Sequence, residues 1–343
     1  MTKSLALNDL ERLIRRDPAR RGLIAHEEER GPLCLGHLPQ PADDLARNGQ
    51  RVAIVTGFFI PAATPPAAET DGPPGAALLA AALNSIGLSV ILVTDDHCRS
   101  ALETAAQTMN LPVPTVVVPG KSADEIDAWF TSTVNDTSQA PLTHLISVER
   151  VGPSHTRNSL EHQTPKPHAP QLALFEQLVP ETDRNHSFNM RGICIDAQTA
   201  PLHRLFELAS RTKTVKTIGI GDGGNEIGMG SIPWQELYHR LGSDTTAKIP
   251  CRIATDWTIV AGVSNWGAMA LAAATLFLRD QQANLLPWTT RQQQNALQQL
   301  VAEGPAVDGI TKLREATVDG LPFLTYIQTW EGIRRAIGLP PEH

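Results

Sequence analysis

Short, unbroken apolar runs recur along the chain, each closed by a polar or glycine-rich turn. The segment at 52–55 reads Val-Ala-Ile-Val. Runs of this length, rich in β-branched residues, predict strands buried on both faces. Comparable segments at 89–94, 115–118, 144–148, 215–220 and 257–261 predict further strands. Between them the apolar pattern lengthens into stretches that predict helices at 75–86, 122–130, 202–211 and 265–278. Pro73 and Pro74 suit the first turn of the 75–86 helix, where a missing N–H costs little, and Gly87 suits its C-terminal stop. Alternating strands and helices predict α/β architecture: a mainly parallel sheet with helices on both faces, a Rossmann-like three-layer sandwich.

The flanks differ. Residues 1–50 form an N-terminal helical segment followed by turns, with Pro32, Pro39 and Pro41 breaking the pattern. Leu10, Leu13 and Ile14 make an apolar stripe beside Arg12, Arg15 and Arg16, which fits a docked helix. Residues 51–343 then constitute the α/β catalytic domain. An excursion at about 155–188, rich in Pro, His and Gln, interrupts it; it reads as part loop and part helix (169–178), and as a lid candidate. The stretch 285–337 reads as helical, with a short distinct segment at 323–327. Asp308-Gly309 and Asp319-Gly320 recur, but two copies make no array.

Composition narrows the function classes. Lys and Arg total 29 against 36 Asp and Glu, a net charge of −7, which opposes binding to a nucleic-acid backbone. Cys34, Cys98, Cys194 and Cys251 lie far apart without a CxxC pair, so reduced, mostly buried thiols are expected rather than a zinc site. No run has the length of a membrane span. The start lacks a signal-peptide core, and Asp9, Glu11 and Asp17 oppose a mitochondrial address. The expected location is the cytoplasm for a bacterial chain, with the mitochondrial matrix left open for a eukaryotic one. The expected partner is a small-molecule substrate, with neither nucleic acid nor membrane; a second copy of the chain is the macromolecular partner left open.

In open parallel sheets, ligands sit beyond the carboxyl ends of the strands, and the polar motifs fall there. Thr56 and Gly57 follow one strand, Thr94-Asp95-Asp96 the next, and Glu149-Arg150 another. Gly221 to Glu226 and Gly262 to Gly267 follow two more. Glu69-Thr70-Asp71-Gly72 adds carboxylates at a helix start; Thr70 or Asp71 either caps that helix or serves the site. Gly219 to Gly224 matches GxGxxG, yet Gly228, Gly230 and Pro233 oppose the helix a dinucleotide site requires, so no nucleotide is expected. Asp222, Asn225 and Glu226 instead offer hard oxygens, and Asp222 with Glu226 is the expected metal pair for Mg²⁺ or Mn²⁺. Arg150 could grip a carboxylate or form a structural ion pair. Asn265 is either a cap or a polar site contact. The histidines at 155, 162, 168 and 186 show no metal-ligand spacing.

Several of these segments together resemble the D-glutamate cyclase family, which occurs as the C-terminal domain of a mitochondrial eukaryotic protein and alone in bacteria. The resemblance is carried by TGFFIP (56–61), ETDGPPGA (69–76), LVTDD (92–96), HLISVERVGPS (144–154), NMRG (189–192), IGIGDGGNEIGMG (218–230), AGVSNWGA (261–268) and VDGL (318–321). It implies a lyase that closes D-glutamate to 5-oxo-D-proline with loss of water, and it implies Mn²⁺ or a related ion. That chemistry needs a base for the α-amine, expected at Glu69 or Asp71. It also needs a cation or proton donor on the side-chain carboxylate, expected from a metal on Asp222 and Glu226, or from Arg150. Backbone N–H groups of Gly223 and Gly224 are expected at the oxyanion. Thr56, Gly57, Thr70, Gly72, Glu149, Asn225 and Asn265 complete the expected substrate contacts. The rival readings are a metal-dependent hydrolase or lyase on another small amino or hydroxy acid, and a non-catalytic metabolite sensor.

Overall fold

The computed structural model describes residues 2–18, 22–110, 115–117 and 122–342. Its frame is a six-stranded sheet: β1 (Arg51–Thr56), β2 (Ser89–Thr94), β3 (Thr115–Val117), β4 (Leu142–Val148), β5 (Lys216–Gly221) and β6 (Trp257–Val260). The spatial order is β3-β2-β1-β4-β5-β6, and every pairing is parallel. The chain builds outward from β1 to one edge, then returns to build the other half from β4. The strand order therefore reverses between β1 and β4, where a crevice opens beyond their carboxyl ends.

The strands read as continuous apolar runs because both faces are covered. Val52 and Ile54 join a core with helices α3 (Pro73–Ser85) and α10 (Ser264–Leu278). Ala53 and Val55, one residue out of phase, face a second core containing Phe130 of α5 (Ala123–Val134) and Phe206 of α8 (His203–Thr212). The first core also takes Leu7, Leu10 and Ile14 of α1 (Lys3–Ile14) and Leu45 of α2 (Pro39–Asn48). The amphipathic stripe of α1 is thus packed on the same core as the sheet. Among the described residues, no helix is long and apolar enough to cross a membrane.

Some local expectations are corrected. Pro39 and Pro41 do not break structure; both lie in the first turn of α2, where a proline without N–H is harmless. Helices α4 (Arg99–Thr108) and α9 (Trp234–Leu241) were not expected. The 323–327 segment is the start of α11 (Phe323–Ala336) and follows a two-stranded hairpin, Thr317–Val318 with Leu321–Pro322. Val118 lies outside the described residues. The excursion contains α6 (Arg157–Glu161) and α7 (Ala169–Leu178), whose Leu160 and Phe175 pack on Trp234. It is docked against α9. Cys98 and Cys251 are buried and Cys34 is half-buried, while Cys194 is exposed.

Helices α3 and α10 position the site. Both are alanine-rich and buried on all sides, which lets their axes approach closely. At their N-termini a Cβ on Gly75 would lie 2.7 Å from Asn265 Cα, so only glycine permits the contact. The two positive helix ends therefore meet beside the crevice.

Candidate active site

The meeting of α3 and α10 is held by reciprocal capping. Asn265, in the first turn of α10, accepts the N–H groups of Gly72 and Gly75 on its Oδ1, at 3.0 and 2.7 Å, and thereby caps α3. Asp71, just before α3, accepts the N–H groups of Ser264 and Asn265 at 2.9 and 2.8 Å and caps α10. Gly72 N–H also donates to Asp71 Oδ1 at 3.0 Å. Asp71 is thus a cap, but of the helix nearly two hundred residues away rather than its own. With both oxygens occupied, it is not the free base expected from the sequence. Asn265 and Thr70, whose hydroxyl donates to Thr317 O at 2.8 Å, are likewise framework rather than exposed substrate contacts.

Glu149 follows β4 with φ of 45°, a strained left-handed conformation for a non-glycine residue. Its Oε2 accepts from Ser264 Oγ at 2.6 Å. Gly72, with φ of 98°, passes so close that a Cβ there would sit 2.7 Å from Thr56 Oγ1 and 3.0 Å from Glu149 Cβ. Gly72 and Thr56 therefore shape the wall behind Glu149. Asp222 follows β5, and carboxylate oxygens of Asp71, Glu149 and Asp222 lie within 4.8 Å of one another. Loops from β1, β4 and β5 and the entrance to α3 have converged on one point, as the positions of the polar motifs predict.

The glycine-rich turn is built differently from a dinucleotide loop. Glu226 folds back so that its Oε1 accepts Gly223 N–H at 2.7 Å and its Oε2 accepts Gly224 N–H at 2.7 Å. Asp222 N–H adds a third bond at 3.2 Å. One expectation is corrected here. The Gly223 and Gly224 N–H groups are occupied and are not an open oxyanion hole. Glu226, holding this nest, lies outside the close carboxylate trio of Asp71, Glu149 and Asp222. No helix starts until Trp234. Gly219 serves backbone approach instead: a Cβ there would meet Gly228 Cα at 2.5 Å. Asn225 lines the cleft, but its amide is anchored on Phe188 O at 2.8 Å.

Arg150 is also corrected. It is 1% exposed and donates to Asp95 Oδ2 at 2.6 Å, to Gly57 O at 2.8 Å and to Ala200 O at 2.8 Å. Burial would raise the Asp95 pKa, but the Arg150 pair and the Ala200 N–H together hold it below the usual carboxylate value. The guanidinium ties three loops together and does not line the cleft; Gly57 contributes its carbonyl to the same tie.

The cleft itself opens to solvent. Glu69 lines it, is 6% exposed, and its Oε1 has no hydrogen-bond partner among the described residues. Burial, then the charges of Asp319, Asp71, Asp222 and Glu226, push the Glu69 pKa well above its ordinary value. Burial and the Asp319 charge do the same to Asp71 against the pull of its three N–H donors. Glu149 is raised by burial and then by Glu226, Glu69 and Asp71; the half-buried Asp222 is raised by burial and then by Asp319 and Glu149. Crowded acids of this kind either retain protons or take up a cation. The hard oxygen trio suits a divalent ion of the Mg²⁺ or Mn²⁺ type.

Sequence reasoning missed several contributors. Ser264 orients Glu149, and Asp319 lines the cleft beside Glu69. Arg191 and Lys312 line it too, from loops at 189–193 and 309–313. The repeated Asp-Gly pairs and the NMRG and VDGL segments were the available signals. None of the cleft-lining residues falls in 155–188.

A family model described as D-glutamate cyclase-like, C-terminal, matches residues 10–166 and 158–334. D-glutamate cyclase, mitochondrial, from Homo sapiens is 29% identical over 285 residues, covering 81% of this chain. The chain spans 40% of the length of that relative.

Proposed function

Because the chain belongs to the D-glutamate cyclase-like, C-terminal family, we propose that it is a lyase that closes D-glutamate to 5-oxo-D-proline and releases water. The observation that carries this reading is the gathering of Glu69, Glu149 and Asp222 at one cleft beyond the sheet's switch point, with Asp71 close behind Glu149 and Asp222. Ring closure joins the α-amine to the side-chain carboxyl. The amine is mostly an ammonium at neutral pH, so a proton must leave before attack. Glu69 suits that step: it reaches the cleft, one oxygen is unpartnered, and its raised pKa lies closer to that of the amine than an ordinary glutamate's would. In all the nitrogen gives up two protons, one before attack and one after, and Glu69 can pass both to the same side-chain carboxyl oxygen, which leaves as water.

Asp71, Glu149 and Asp222 would hold Mn²⁺ or Mg²⁺, which would polarise the substrate's side-chain carboxyl as a Lewis acid. The caps on Asp71 and the Ser264 bond to Glu149 fix those carboxylates before any ligand arrives, which limits reorganisation on binding. The cleft's walls fold the substrate so that amine and carboxyl approach, which removes part of the conformational entropy cost of a reaction that is already intramolecular. The test is direct. Purified protein is incubated with D- or L-glutamate, with and without EDTA and Mn²⁺, and 5-oxoproline is followed by NMR and chiral chromatography. Formation of 5-oxo-D-proline is expected; its absence under every condition rejects the reading.

A further inference from the structure

The cleft presents an electrostatic problem. Glu69, Glu149, Asp222, Glu226 and Asp319 all line it, yet the proposed substrate carries two carboxylates and one ammonium. An acidic floor attracts the ammonium and repels the carboxylates, strongly so where water is scarce. Arg191 and Lys312 are the cationic side chains lining the cleft among the described residues. Neither makes an ion pair or side-chain hydrogen bond with the described residues, whereas most other arginines are committed to partners such as Asp127, Glu207 or Asp95.

Both cations stand on stiff turns. Asn189 Oδ1 accepts the N–H groups of Arg191 and Ile193 at 3.0 and 3.1 Å, and Asn189 N–H donates to Ile193 O at 3.0 Å. In the other loop the buried Asp308 accepts Ile310 and Thr311 N–H on Oδ1, each at 2.9 Å, and Thr317 Oγ1 and Gly320 N–H on Oδ2, each at 2.7 Å. Lys312 N–H closes the turn on Asp308 O at 2.8 Å. Two ordered turns thus carry unpaired cations to the rim of an acidic cleft, beside the exposed apolar side chains of Met190, Ile193 and Ile310.

We propose that Arg191 and Lys312 clamp the α-carboxylate of the substrate. The acid floor then receives the amine and the side-chain carboxyl enters last, toward the Asp71–Glu149–Asp222 trio. This rests on the cyclase reading and deepens it: the enzyme selects free α-amino dicarboxylic acids and rejects those whose α-carboxyl is an amide. Arg191 and Lys312 are binding and positioning residues, remote from the proton transfer.

The experiment uses the full chain with Arg191→Met and Lys312→Met, singly and together. For D-glutamate each single variant is expected to raise KM about tenfold or more with kcat within a few-fold, and the double variant to raise it further. D-isoglutamine, whose α-carboxyl is an amide, should be a poor substrate for the wild type, and the variants should worsen it no further. Calorimetric titration with 5-oxo-D-proline, which keeps only the α-carboxylate, supplies a readout independent of turnover; about tenfold weaker binding is expected in each variant. Melting temperatures should be unchanged, because neither side chain holds the fold. Unaltered KM and unaltered product affinity in an active wild-type background overturn the clamp and leave the cyclase reading intact. A wild type that forms no 5-oxoproline rejects the cyclase reading, and the titration with 5-oxo-D-proline then decides the clamp alone.

Discussion

Glu69 sits among other carboxyls with one oxygen unpartnered, so its substitution separates chemistry from stability. Glu69→Gln is expected to lose roughly 100-fold or more in turnover, the usual size of a general-base contribution. It should also unfold no more easily than the wild type. The raised folded pKa means that wild-type stability is present below the ordinary value of 4.5 and is lost as pH rises, so the variant's relative stability should grow with pH. Urea titrations at several pH values check this, and a destabilised variant at pH 8 would count against the crowding argument. Arg150 behaves oppositely. Arg150→Met leaves Asp95 buried and unpaired, and about 3–5 kcal/mol of stability should go. A variant of normal stability with a raised KM would return Arg150 to substrate binding. His155 is fully enclosed, and burial, then the Arg252 charge, lower its pKa to about 3. Between 6.5 and about 3 the unfolded chain takes a proton that the folded chain refuses, so stability falls as pH falls, by up to about 1.4 kcal/mol per unit. His155→Gln abolishes that share; the stability gap between the two proteins should shrink on going from pH 7.5 to 5, and a constant gap would contradict it.

At the scale of elements, the site depends on two helix starts that cap each other. Asp71 serves α10 and Asn265 serves α3, so the local propensity of either helix alone cannot fix the geometry. Asn265→Ala removes the Oδ1 that receives Gly72 and Gly75, and leaves those N–H groups buried. The expected cost is about 1–2 kcal/mol, with turnover falling further than stability because Asp71 and Glu149 lose their registration. Thermal unfolding followed alongside 5-oxoproline formation separates the two effects; full activity in this variant would show that the cross-cap is dispensable. The convergence of strand-end loops was legible in the sequence, since each polar turn directly follows an apolar run. The partners of each polar group were not. A cap that looks local at 70–72 is satisfied across 193 or more residues, and nothing in a linear pattern ranks such a partner above a near one.

At the scale of the whole molecule, the segments that follow β1, β4 and β5 bring acids from distant parts of the chain into one low-dielectric place. Their raised pKa values would couple the binding of a cation to the release of protons. Mn²⁺ is therefore expected to bind more tightly as pH rises and to expel protons, measurable by calorimetry in buffers of different ionisation enthalpy. At a concentration 100 times its Kd the ion should add about 2.7 kcal/mol to folding stability. Asp222→Asn should weaken that shift. Absence of any thermal shift and any heat of binding would remove the metal from the proposal.

The sequence by itself determined the layered parallel sheet, because strand and helix periods are local properties and burial on both faces leaves an unbroken apolar signature. It also determined which turns would meet, since a parallel sheet puts every strand's carboxyl end on one edge. Tertiary structure alone decided which acids stay free. Glu226 is held by the N–H groups of its own turn, Arg150 by Asp95, and Asp71 is fixed in place by a distant helix end, while Glu69 keeps one buried oxygen without a hydrogen-bond partner among the described residues. Hydrogen-bond saturation is a property of three-dimensional neighbours, and residue type announces only the capacity for it.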